Sequence, residues 1–150
     1  MKKLESLRKY LSDSIPELKR DADSLIVFAN NGRVVSTVTE SLCFVYYYQG
    51  ECIITDYNGS SDDIMIALLA WARVNQPELL MQTENGISFE AEILSHDTAD
   101  ISIKLDLSER VLVQMVDGQR VITHLDEPQL PDLTGPTGWA IIAPGLPETP

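Results

Sequence analysis

Apolar residues Leu4, Leu7, Tyr10, Leu11 and Ile15 recur at helical spacing, while Lys2, Lys3, Glu5, Arg8 and Lys9 fill the opposite side. Such a stripe predicts an amphipathic helix at the start of the chain. Pro16 should end or kink it, because proline lacks an N–H and clashes with the preceding turn. Glu17 to Asp23 reads as a polar turn, with one short helical turn headed by Pro16 as the alternative. From Leu25 the period changes to that of a strand. Leu25 to Ala29 and Arg33 to Val38 read as two arms joined through Asn30, Asn31 and Gly32, since Asn-Gly between apolar runs is the strongest short hairpin signal. A second hairpin is expected from Leu42 to Tyr48 and Glu51 to Tyr57, bending at Gln49 and Gly50, with both arms rich in aromatic and β-branched residues.

Asn58, Gly59, Ser60 and Ser61 break the sheet, and Ser60 with Asp63 three residues on makes a near capping box before a helix over Ile64 to Val74. That helix is apolar almost all round, which predicts a place between the sheet and either another helix or a neighbouring subunit. Pro77 closes it. Ile87, Phe89, Ala91 and Ile93 then alternate with polar residues, as do Ile101, Ile103, Leu105 and Leu107, so each strand should turn one face to the core. Ser95 to Ala99 connects them, and Asp117-Gly118 turns Val111 to Val116 back into Arg120 to Leu125.

The composition changes sharply at Asp126: six of the eight prolines lie beyond it, at Pro128, Pro131, Pro136, Pro144, Pro147 and Pro150. No packed element tolerates that density. Trp139, Ala140, Ile141 and Ile142 form a small apolar island inside this stretch. It reads either as part of a disordered end or as an arm that docks on a partner chain. The expected organisation is therefore an α+β domain over residues 1–125 and a Pro-rich extended or disordered arm over 126–150. The domain is a mainly antiparallel sheet built from hairpins, packed against the N-terminal amphipathic helix and the central buried helix.

Composition adds one unusual fact. Eleven Lys and Arg stand against 23 Asp and Glu, a formal net charge of −12. Clustered cations are what a phosphate-tracking surface needs, so direct, sequence-specific nucleic-acid binding is not expected. The acidic excess fits solubility, and it also leaves open imitation of a DNA backbone by an inhibitor of a DNA-binding protein. The longest apolar run, Ile64 to Ala72, is far short of a membrane span, and no signal-like stretch follows the basic residues near Met1. The protein is expected to stay in the cytoplasm where it is made. Cys43 and Cys52 flank the expected second bend with an offset that keeps them too far apart for a disulfide, so both are read as free thiols.

Chemistry is sparse. His96 with Asp97 and Asp100 is the cluster that most resembles a catalytic one, because His and a carboxylate can share a proton near neutral pH. It falls in a strand connection and no motif places a nucleophile beside it. A small hydrolase using His96 and Asp97 is thus a rival reading, while His124 reads as an exposed neutral side chain at a strand end. Asp56, Asn58, Asp62 and Asp63 lack the Gly and Glu positions of a calcium loop and read as a turn followed by helix-dipole complementation. No catalytic, cofactor-binding or metal-binding residues are assigned, and no cofactor is expected. Tyr46, Tyr47 and Tyr48 must point to alternate sides of a strand, so at least one ring faces away from the core. Together with Trp139, Ile141 and Ile142 they are the candidate interface residues.

One segment carries a family likeness. Leu69-Ala70-Trp71-Ala72-Arg73-Val74-Asn75-Gln76-Pro77 resembles the L-A-W-x-R-x-N-Q-P word of the phage tail completion protein R family of contractile-tailed temperate phages. Ser6-Leu7-Arg8, Asn31-Gly32 before Ser36-Thr37, Ile54-Thr55-Asp56 and Asp100-Ile101-Ser102-Ile103 through Glu109-Arg110 follow in the family's order, and the likeness runs from about Glu5 to Pro128. It implies a structural virion protein, not an enzyme, acting at the head-proximal end of the tail to complete it and allow head joining. The implied partners are further copies of itself in a ring, sixfold by likeness to tail terminators, together with tail tube, sheath and neck proteins. The implied location is the host cytoplasm during assembly and then the virion tail.

Overall fold

The computed structural model describes residues 1–36, 42–81 and 86–128. The first stripe forms α1 (Lys2–Ser14), which buries Leu7 and Leu11 and leaves Tyr10 more than a third exposed. Pro16 ends the first helix as expected, with α1 stopping at Ser14. It stands at the first position of a second short helix, α2 (Pro16–Arg20), where its missing N–H costs nothing, and Ile15 between the two helices is extended and buried. A 3₁₀ turn (Ala22–Ser24) then leads into β1 (Leu25–Ser36).

Neither of the first two expected hairpins exists. β1 runs straight through Asn30, Asn31 and Gly32, and β2 (Phe44–Tyr57) runs straight through Gln49 and Gly50. The two long strands pair with each other, antiparallel, from Leu25↔Ile54 to Ser36↔Phe44. The physical reason is visible in the backbone. A two-residue type I′ turn needs positive φ at both central residues, yet only Asn31 (φ 52°) has it. Asn31 serves a bulge instead: between Asn30↔Gln49 and Arg33↔Tyr47, β1 spends one residue more than β2. Gly50 also has a packing role, because a Cβ there would sit 2.9 Å from Leu107 Cδ1 and 3.3 Å from Leu4 Cδ2. Leu4 of α1 packs against the sheet at this glycine. Val38, expected to end the second arm, lies outside the described residues.

A second bulge follows the same plan, with Asp56 at φ 51° between Ile54↔Ile101 and Tyr57↔Ala99. There the Asp100 carboxylate accepts the Asp56 backbone N–H at 2.9 Å. Ser60 caps α3 (Ser61–Asn75), its hydroxyl accepting the Asp62 N–H at 3.2 Å, and α4 (Glu78–Met81) follows Pro77.

The remaining strands are β3 (Ile87–Ile93), β4 (Ala99–Val116) and β5 (Gln119–His124). The two stretches Ile101 to Leu107 and Val111 to Val116 are one continuous strand. Asp117 (φ 50°) and Gly118 (φ 76°) do form the expected turn, since both have the required sign. The sheet is antiparallel in the order β1-β2-β4-β3, with β5 also on β4. Val111 pairs with Phe44 on one side and His124 on the other, so β5 lies on the same edge of β4 as β3, farther along.

The core sits on one face of this sheet. Tyr48, Cys52, Ile54, Ile101, Ile103, Leu105 and Leu107 meet Leu7, Leu11, Ile15, Ile64, Leu68 and Trp71 from the helices. Each such side chain contributes about 1.5–3 kcal/mol by leaving water. β3 departs from expectation: its alternation is real, but Phe89 and Ile93 on the core-side face are 60% and 80% exposed because no described helix extends over them. α3 is likewise buried only through Ile64, Ala67, Leu68, Trp71 and Ala72, while Ile66, Leu69 and Val74 face solvent.

Neither Cys43 nor Cys52 is in a disulfide, but the distance that separates them differs from the expected one. They are nine residues apart along one extended direction, on the order of 30 Å, and not on facing arms. Cys52 is fully buried and its thiol is pushed up to about 12 by burial, with Glu51 adding to the rise. Cys43 Sγ accepts the Val113 N–H at 3.4 Å.

Candidate interaction surfaces

Most of the polar side chains that the sequence made conspicuous are spent inside the molecule. Trp71 is buried and donates its indole N–H to Ser6 Oγ at 3.1 Å, joining α3 to α1. Asn75 Nδ2 donates to the Trp71 carbonyl at 3.0 Å. Gln76, 2% exposed, accepts from Lys3 Nζ at 2.7 Å and from the Ser108 N–H at 3.1 Å, tying α3 to α1 and β4. Arg8 donates to the Leu25 carbonyl at 2.7 Å. The Trp-Ala-Arg-Val-Asn-Gln-Pro word is thus a staple of the fold.

Glu109 is the centre of a second buried network. Its carboxylate accepts the backbone N–H of Lys2 at 2.9 Å and the phenol of Tyr48. Helix α1 has no side-chain cap of its own at Met1, so this remote carboxylate satisfies one of its orphan N–H groups and complements its dipole. His124 Nδ1 lies 3.2 Å from Glu109 Oε1 without hydrogen-bond geometry, and the side chain is mostly buried. That corrects the expectation of an exposed histidine: the β5 end is folded back against β4. Burial, and then the bond to Glu109, push the Tyr48 phenol well above its usual range.

The tyrosine run divides as strand geometry requires. Tyr48 points into the core, 4% exposed, and Tyr46 packs beside it, edge-on to Phe44 with centroids 5.0 Å apart. Tyr47 faces the opposite side with the Arg33 guanidinium 4.3 Å above its ring. Of the other candidates, Trp139, Ile141 and Ile142 lie outside the described residues. His96 and Asp97 are exposed in the β3–β4 connection, and the Asp100 carboxylate is occupied by the Asp56 N–H. Among the described residues no three His, Cys, Asp or Glu side chains could hold a metal ion, and no helix is long and apolar enough to cross a membrane.

Among the described residues three groups of exposed apolar side chains stand out. On the uncovered face of the sheet, Ile26, Phe28, Val35 and Tyr47 are 51%, 36%, 38% and 38% exposed along β1 and β2. Beyond Val111, where pairing with β2 ends, β4 and β5 are paired only with each other among the described residues, as a ribbon whose Met115, Val116, Val121 and Ile122 are all exposed. The third patch is a groove of about 380 Å³ between α3, α4 and β3, lined by Met65, Leu69, Leu79, Leu80, Ile87 and Phe89. Of the residues in these patches, the sequence singled out Tyr47 as an interface candidate and the helix that carries Met65 and Leu69 as one that could face a neighbouring subunit. Alternation could mark the ribbon and β3 as strands but could not tell which apolar faces stay uncovered.

No solved structure matches the chain. Among curated proteins it is 39% identical over 135 residues to the tail completion protein R of Escherichia phage P2, spanning 88% of this chain and 87% of that one. The model of the family described as P2 phage tail completion protein R (GpR) matches residues 1–128, the stretch that holds both polar networks. With that match, the chain belongs to the P2 phage tail completion protein R family.

Proposed function

We propose that this chain is a structural protein of a phage tail, that it completes the tail at its head-proximal end so that a head can join, and that it works as a ring of copies without catalysing a reaction. Family membership supports the tail assignment, and the pair of unlike apolar patches on one molecule is the observation that carries the ring. A closed ring requires a heterologous contact, in which one surface of each copy meets a different surface of the next. The ribbon of Met115, Val116, Val121 and Ile122 is the protruding half, and the open sheet face of Ile26, Phe28, Val35 and Tyr47 is the receiving half.

The acidic excess has a place in the same reading. Glu90, Glu92 and Asp106 are exposed on the polar part of the uncovered sheet face. Like charges there would discourage addition of a further layer, which is what a completing protein must do. The test is to remove the protein during phage production and image tails by electron microscopy. Overlong, uncapped or headless tails are expected; normal tails joined to heads would reject the proposal. Phe28→Asp and Ile122→Asp should each reproduce the defect, and in purified protein each should reduce the mass measured by light scattering to that of the monomer.

A further inference from the structure

The groove beside β3 is not used by the ring contact above, and its chemistry differs from that of the other two patches. Among the described residues β3 pairs only with β4, so the other edge of Ile87–Ile93 presents unpaired backbone N–H and C=O groups. An open edge of this kind accepts an added strand, with main-chain bonds giving affinity and adjacent pockets taking alternate side chains. The pocket is present: Phe89, Leu69 and Leu80, which line it, are 60%, 47% and 36% exposed.

We infer that this groove and edge are the docking site of the chain's own segment 137–143, which adds to β3 as a further strand and seats Trp139 and Ile141 among Leu69, Leu80 and Phe89. Three observations converge on that occupant. The segment Thr-Gly-Trp-Ala-Ile-Ile-Ala is bounded by Pro136 and Pro144 and contains no proline, so each of its seven residues keeps the N–H that a strand needs. Its length equals that of β3, which also has seven residues. Alternation puts Trp139 and Ile141 on one side of an added strand, and the matching side of β3 carries Ile87, Phe89, Ala91 and Ile93.

The point of departure is also close. Glu127 is held by Lys3 at 3.0 Å, and the same ammonium holds Gln76, which immediately precedes Pro77 and the α4 residues that line the groove. Ten residues, 129–138, separate the last described position from Trp139 and span up to about 33 Å when extended. A tether of that length gives an effective concentration in the millimolar range (~1 mM), which favours a chain's own segment over a neighbour's. The inference does not depend on the ring proposed above.

Hydrogen exchange on the full chain tests it. Peptides covering β3 should exchange slowly in the wild type. They should exchange about tenfold faster in a Trp139→Ser, Ile141→Asp double variant and in Phe89→Asp, while β2 and β4 peptides stay unchanged. Phe89 is largely exposed, so its substitution leaves the core intact. Equal β3 exchange in the wild type and the double variant would overturn the inference. A mixture of the two variants separates the source: if the segment is the chain's own, mixing restores nothing. If β3 of the double variant regains protection from the intact segment of the Phe89→Asp copy, the occupant is a second molecule and the inference is wrong.

Discussion

The Gln76 carboxamide oxygen accepts the Ser108 backbone N–H at 3.1 Å and the Lys3 ammonium at 2.7 Å, so one side chain at the end of α3 satisfies a strand and holds the first turn of α1. Replacing it by Ala leaves a buried N–H unpaired and an ammonium short of an acceptor, a loss of about 1–3 kcal/mol. Gln76→Ala should shift the denaturant midpoint downward without changing the slope. Gln76→Glu keeps the acceptor and should cost less. Equal midpoints for Gln76→Ala and the wild type would show that the staple contributes nothing.

Tyr48→Phe tests the Glu109 network. The substitution preserves the ring and its packing but takes away one donor to a carboxylate that is 3% exposed. A penalty of about 1–3 kcal/mol is expected, measured by urea unfolding, because the charge remains buried with fewer partners.

Alkaline pH should unfold the protein through three acidic groups that the fold keeps neutral. Cys52 and Tyr57 are each pushed up to about 12, Cys52 by burial and then Glu51, Tyr57 by burial and then Glu17 and Asp63, and Tyr48 is raised as well. A group whose folded pKa lies above its unfolded value holds its proton more tightly when folded. Its contribution is complete below the unfolded pKa and is lost as pH climbs through the interval. The melting temperature should therefore fall from about pH 9, the ordinary range of a thiol. Cys52→Ala should shift the onset of that fall to about pH 10, where tyrosine begins to ionise. The same onset with and without the thiol would refute the assignment.

Asn31 occupies left-handed backbone at φ 52° in the middle of a strand. Asn31→Val should cost about 1–2 kcal/mol, because a β-branched side chain crowds the carbonyl there, whereas Asn31→Gly should be close to neutral. If Asn30 and Gly32 instead formed a true hairpin turn, Gly32→Val would be the more damaging change. Thermal unfolding of the three variants decides between these outcomes.

Local signals were legible wherever a short stretch decides its own conformation. Ser60 capped its helix, Pro16 took the first position of one, and Asp117-Gly118 turned the last hairpin, each within about four residues. The same kind of signal misled at Asn31-Gly32 and Gln49-Gly50. At Asn31 a positive φ serves a bulge as well as a turn, Gln49 and Gly50 have no positive φ, and whether the chain reverses depends on what pairs with it. The candidate surfaces followed the same division. Alternation fixed that Tyr47 and Tyr48 face opposite ways, but which side was core became visible only with the helices in place.

The sequence by itself determined the class of the fold, the amphipathic start, the existence of the central helix, the strand character of the second half and the family, because these depend on period and on words of adjacent residues. Tertiary structure alone decided that two expected hairpins are two long paired strands, that Glu109 caps a helix more than a hundred residues away, and that β3 and the ribbon keep their apolar faces in water. Burial is a property of what lies opposite a side chain, and the residues opposite are distant in the chain.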